Sequence, residues 1–254
     1  MSNKKEIEMF QKNIDRILSA IFPKIKAEGK KPFLVLDSSA IFDLEEKKLT
    51  EGTCLSYLLN QSKRKYDVST FITHGVLSEI TSLNGRRSDS RNQKTNNHII
   101  SCSSIHLLKG LYRDFRDTIN RIQQMQDLQG ISYEPLKEDV RKASSVLFKL
   151  IELENKKNNL KPLSDNDLEV IASSYFLKNH MPVLESEPIG HFCFVFSSDG
   201  LLLKTIDFLG RSIYKSELDR IIEGDNRLRL PIHTYDDIRT IPTRELFERN
   251  STFY

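Results

Sequence analysis

Apolar residues recur at helical spacing through the first segment of the chain. Met9, Phe10, Ile14, Ile17, Leu18 and Ile21 fall on one face, and Pro23 and Gly29 close the run. The spacing predicts one amphipathic helix over 3–28, packed on the domain. The period then changes. Phe33-Leu34-Val35-Leu36, entered through Pro32, is a continuous apolar block and predicts a buried strand over 31–37. Helices are expected over 38–46 and 52–62, then a second strand over 66–73. Thr73 is placed to cap a following helix that bears Val76, Leu77 and Ile80.

Farther on, two heptad-like stretches follow each other. Ile105, Leu108, Tyr112, Phe115, Ile119 and Ile122 form one seam, and Leu136, Val140, Ala143, Leu147 and Leu150 form the other. Turn residues over 130–135 separate them, so a helical hairpin is expected, inserted over 103–155. It is suited to packing, to clamping a substrate, or to forming a homodimer. After Lys161-Pro162 the pattern of strand and helix returns, with a helix over 164–178, a strand over 191–196 and a helix over 201–209. An edge strand is expected over 227–233, where Pro231 suits an edge. Alternating strands and helices predict an α/β fold with a mainly parallel central sheet. The expected organisation is an N-terminal helix over 1–30, a core domain over 31–240 carrying an insertion over 84–155, and a tail over 241–254.

Composition narrows the class. The 254 residues are 38% hydrophobic and 29% charged, which suits one large domain with a real core. No run approaches the roughly 18 apolar residues of a membrane span, and no membrane association is expected. Lys4, Lys5, Glu6, Glu8, Lys12, Asp15 and Arg16 interrupt any secretory-signal pattern. Cys54, Cys102 and Cys193 form neither a CxxC pair nor a disulfide framework, so a reduced, cytoplasmic setting is expected and zinc is disfavoured. A net charge of +3 says little, but its distribution says more. In 84–98, Arg86, Arg87, Arg91 and Lys94 stand against Asp89 alone. That loop is suited to nucleic-acid phosphates, or is a solvated surface segment.

Acidic residues at the element edges carry the candidate chemistry. Asp37 ends the first strand, Glu79 and Asp167 lie where helices are expected to begin, and Asp199 follows the strand ending Val195-Phe196-Ser197-Ser198. Singly, each has an ordinary explanation. Asp37 can cap a helix, Asp167 can complete a capping box with Ser164, Asp165 can favour a helix dipole, Glu79 can be solvated, and Asp199 before Gly200 can be a turn residue. Together, carboxylates at the carboxyl edge of a parallel sheet repel one another unless protonated or bound to cations. Oxygen-only donors favour Mg²⁺ or Mn²⁺. Such a site suits phosphodiester hydrolysis, with Ser38 and Ser197 bonding the carboxylates or bound waters. Dinucleotide, P-loop and GxSxG motifs are absent, and the six histidines are scattered. A phosphotransferase with an aspartate nucleophile often has a second Asp two residues on, where this chain has Ser39.

Four blocks resemble the PIN-domain nucleases. They are Phe33-Leu34-Val35-Leu36-Asp37-Ser38-Ser39, Ile72-Thr73 to Leu77-Ser78-Glu79-Ile80, Leu163-Ser164 to Asp167-Leu168-Glu169-Val170-Ile171-Ala172, and Val195-Phe196-Ser197-Ser198-Asp199. The resemblance implies a three-layer α/β/α fold and Mg²⁺- or Mn²⁺-dependent endonucleolytic cleavage of RNA, commonly single-stranded. It implies catalytic and metal-binding roles for Asp37, Glu79, Asp167 and Asp199, with Asp165 able to share the role of Asp167. The third block most resembles the PIN nucleases that mature ribosomal RNA. The insertion is long for the compact toxin members, which can have inhibitor partners, and the cysteines form no zinc ribbon after the domain. Two rivals remain: a flap-type nuclease acting on branched DNA, and a silent PIN-like scaffold that binds RNA.

Overall fold

The structure is a computed structural model that describes residues 2–50, 52–66, 68–82, 161–184, 190–210 and 238–248, with residues 138, 140, 141, 144, 145, 147 and 148. The expected basic loop (Arg86, Arg87, Arg91 and Lys94) and the edge strand over 227–233 lie outside the described residues, as does the hairpin apart from these helical positions.

Among the described residues, four strands form one all-parallel sheet: β1 (Lys30–Leu36), β2 (Ser69–Phe71), β3 (Gly190–Ser197) and β4 (Ile238–Pro242), in the order β2-β1-β3-β4. Helices flank it: α1 (Ser2–Ala20), α2 (Phe22–Ala27), α3 (Ser38–Glu46), α4 (Cys54–Tyr66), α5 (His74–Ser82), α6 (Asp165–Leu184) and α7 (Gly200–Gly210). A 3-10 helix (Thr243–Phe247) follows β4. The strands β1 and β3 are apolar throughout their buried centres, as strands covered on both faces must be. Their register sets Leu36 opposite Phe196, and the Asp37 amide adds one more rung by donating to the Phe196 carbonyl at 3.0 Å.

The expected single helix over 3–28 is two helices. Pro23 has no N–H for the carbonyl one turn earlier, so the chain turns at Ile21 and a new helix starts with the proline in its first turn. Both helices still face the core, through Phe10, Ile14, Leu18, Phe22 and Ile25. The ring of Phe22 packs 5.1 Å from that of Phe194 on β3. Gly29, at φ 72°, makes the left-handed turn from α2 into β1. Helix α4 begins at Cys54 because Thr53 and Ser56 cap it reciprocally: the Thr53 amide donates to Ser56 Oγ, and the Ser56 amide to Thr53 Oγ1.

Strand β2 is shorter than the 66–73 expected, and the boundary drawn at residue 240 falls inside β4. Beyond β4 the chain stays attached to the core. Asn13 of α1 donates to the carbonyls of Leu246 and Glu248 at 2.9 and 3.1 Å, and the Phe10 and Phe247 rings stack at 5.2 Å. No described helix is long and apolar enough to cross a membrane.

Candidate functional site

The strand order puts a topological switch point between β1 and β3. From β1 the chain moves outward to β2, then returns to the other side of β1 for β3. Open parallel sheets present their functional groups in the crevice at such a point, beyond the carboxyl ends of the strands. Asp37 follows β1 there and Asp199 follows β3.

Asp37 is buried, with 4% of its surface exposed, and its carboxylate is tightly held. Oδ1 accepts from the Ser38 amide at 2.7 Å, which makes Asp37 the N-cap of α3. Oδ2 accepts from the hydroxyls of Ser39 at 2.5 Å and Ser197 at 2.8 Å. Ser197 Oγ in turn accepts from the Asp199 amide at 2.9 Å. Asp199 caps α7, its Oδ1 accepting from the Leu201 and Leu202 amides at 2.7 and 3.1 Å.

Asp167 is brought to the same place by α6. Its Oδ2 accepts from the Ser164 amide and hydroxyl, and its amide donates to Ser164 Oγ, a reciprocal cap. Burial pushes the Asp167 carboxyl above the ordinary carboxylate range, against the lowering effect of the Ser164 bonds. The charges of Asp37 and Asp199 push it the same way, so Asp167 on α6 lies within electrostatic reach of both strand-end carboxylates. Each helix cap uses one oxygen, Oδ2 of Asp167 and Oδ1 of Asp199, and capping is compatible with a further role for the other oxygen.

Asp165 and Asp167 part company. Asp165 is 83% exposed and pairs with Arg141 at 3.0 Å. Glu79 does not sit at the start of its helix. It lies about 7.5 Å along α5 from His74, and its Oε1 accepts from Asn166 Nδ2, next in sequence to Asp167. Ser38 contributes its amide to Asp37, while its hydroxyl is 3.4 Å away. Ser197 bridges Asp37 and Asp199.

Sequence reasoning missed several participants. Ser39 bonds Asp37 and accepts from the Ser198 amide at 2.9 Å. Asn166 holds Glu79, and Glu169 Oε2 accepts from the Gly75 amide at 2.7 Å, near the start of α5. Asp43 and Thr243 bind the Ser198 hydroxyl. Serine density around both strand ends, in Asp37-Ser38-Ser39 and Ser197-Ser198-Asp199, was the available signal.

The donors suit a hard divalent cation in their chemistry: carboxylate oxygens, no sulfur, and mutual repulsion to relieve. Their arrangement is not a finished cage. Among the described residues no group of three or more His, Cys, Asp or Glu is placed to hold a metal ion. Asp37 explains part of this, because serines and an amide already occupy both its oxygens. A nearby open groove of about 370 Å³ sets Glu6, Asp43, Glu46 and Glu248 against Lys47 and Arg244. Lys47 pairs with Glu6 at 2.8 Å, so the groove is a poor phosphate cradle. Comparison with protein-family models, curated proteins and solved structures found no match.

Proposed function

We propose that this chain is a PIN-like endoribonuclease dependent on Mg²⁺ or Mn²⁺, with helices layered on both faces of its sheet. One observation carries the reading: Asp37, Asp167 and Asp199 come from three separate elements to the carboxyl edge, where burial first and then the charges of Asp37 and Asp199 raise the Asp167 carboxyl. Asp37, Asp167 and Asp199 would hold the cation, with Glu79 beside them through Asn166. A cation there supplies Lewis-acid chemistry for phosphodiester hydrolysis.

The chain's own groups have distinct tasks. Asp37 and Asp199 are fixed by their caps and by Ser197, so they orient what binds between the strand ends. Asp167 is held to the same edge by its reciprocal cap with Ser164, made through Oδ2, so its Oδ1 can face the cation or a water bound to it. RNA is the substrate, preferred to DNA on the resemblance of the four sequence blocks.

Alanine at Asp37 or at Asp199 should remove Mn²⁺-dependent cleavage of single-stranded RNA, by at least about 100-fold in rate, while circular dichroism shows a folded chain. Full activity in both variants rules the assignment out. A second reading, a catalytically silent RNA-binding scaffold, is favoured by the saturated hydrogen bonding of Asp37. Calorimetric titration separates the two, since the scaffold takes up no Mn²⁺.

A further inference from the structure

Ser198 stands between the two residues that build the acidic edge, Ser197 and Asp199, but its hydroxyl goes elsewhere. It donates to Asp43 Oδ2 on α3, and it shares a hydrogen bond with Thr243 Oγ1 at the start of the 3-10 helix. Its amide donates to Ser39 Oγ. Ser39 and Asp43 are four residues apart on α3, hence neighbours on one helix face. That face grips the Ser197–Ser198–Asp199 turn twice, once through the backbone and once through a charge-assisted bond to the side chain. Asp43 is only 35% exposed, and the nearest described cation group, Arg244 Nε, stays 3.9 Å away. The carboxylate is therefore committed to the turn rather than to a tight ion pair.

We infer that Asp43 is a positioning residue for the acidic site: through Ser198 it fixes the turn that aims Asp199 at Asp37 and Asp167. The inference rests on the nuclease reading. It assigns a function to an acid outside the quartet, and to the segment after β4, because Thr243 completes the grip.

The test compares Asp43→Ala, Asp43→Asn, Ser198→Ala and the Asp43→Ala/Ser198→Ala double variant, using single-stranded RNA and Mn²⁺. Asp43→Ala is expected to lower kcat about tenfold or more with KM within about twofold, the pattern of lost orientation rather than lost binding. Calorimetry should show weaker Mn²⁺ binding without RNA present. Asp43→Asn keeps an acceptor oxygen and should recover part of the loss. The double variant should be no worse than the poorer single one, because both act through one bond. Unchanged kcat and Mn²⁺ affinity in Asp43→Ala, or additive losses in the double variant, overturn the inference. Should Asp43→Ala melt below assay temperature, Ser198→Ala carries the same comparison, since it deletes one hydroxyl. A wild-type chain that neither cleaves RNA nor binds Mn²⁺ overturns the nuclease reading itself, and this inference with it. A wild type that does both, beside unaffected variants, sinks this inference alone.

Discussion

Asp37 is helix cap and candidate ligand at once, and with both oxygens already bonded a cation would have to displace a serine hydroxyl from Oδ2. The choice between Asp165 and Asp167 follows from helix geometry. Two residues apart on a helix means about 200° around the axis, so the two cannot both face the sheet edge. That much could be read from the sequence once the helix was placed, whereas Asp43 and Ser39 could not, because a serine or an acid on a helix has many possible partners. Asp167 also sets a pH test. Its folded-state carboxyl is raised above its ordinary value of 3.8, so the folded chain binds its proton more tightly than the unfolded chain does. Stability therefore falls as pH rises through that window, and the full cost is present at neutral pH. Asp167→Asn keeps an oxygen for the Ser164 cap and removes the charge. It should melt higher than wild type at pH 7, with the gain shrinking as pH falls toward 3.8. A gain that does not vary with pH contradicts this account of Asp167. If the chain cleaves RNA as proposed, the higher stability should come with lost cleavage, as is common for groups held in an unfavourable state for function.

At the scale of elements, α5 and α6 interlock where Gly75 meets Asn166 and Glu169. A Cβ at Gly75 would collide with the Asn166 amide oxygen and the Glu169 carboxylate, and would lie 2.8 Å from Asn166 Cγ. Gly75→Ala should cost about 1–3 kcal/mol, the usual range for overpacking, read as a lower urea midpoint at unchanged slope. No loss of stability would show that these side chains swing away freely. The legible elements were those with strong single patterns. Strands β1 and β3 were visible as continuous apolar runs, and the cap at Thr73 as a turn residue before a helix, confirmed by its Oγ1 accepting from the Val76 amide at 3.2 Å. Strand β4 was not, because Ile238-Arg239-Thr240-Ile241-Pro242 buries just its two isoleucines and Thr240 is half-covered beside a solvent-facing arginine. The break between α1 and α2 was signalled by Pro23, but the apolar stripe runs straight across it.

At the scale of the molecule, α1 and the 3-10 helix close one side of the core together. Ile238, Ile241 and Leu246 are buried, and the carbonyls of Leu246 and Glu248 are bonded by Asn13. A chain cut after residue 237 should lose its cooperative thermal transition altogether, since the β3 edge and the Phe10 ring face would both be laid bare. A sharp transition in that truncated chain would show that β4 is dispensable. The strand order has a further consequence in time. β1 is synthesised early, but its partner β3 and the Asp199 turn come from far later in the chain. None of the site's contacts between Asp37 and Ser197 is local, so no early fragment can assemble it. An acidic edge built this way stays unassembled until β3 and the Ser197–Asp199 turn have left the ribosome.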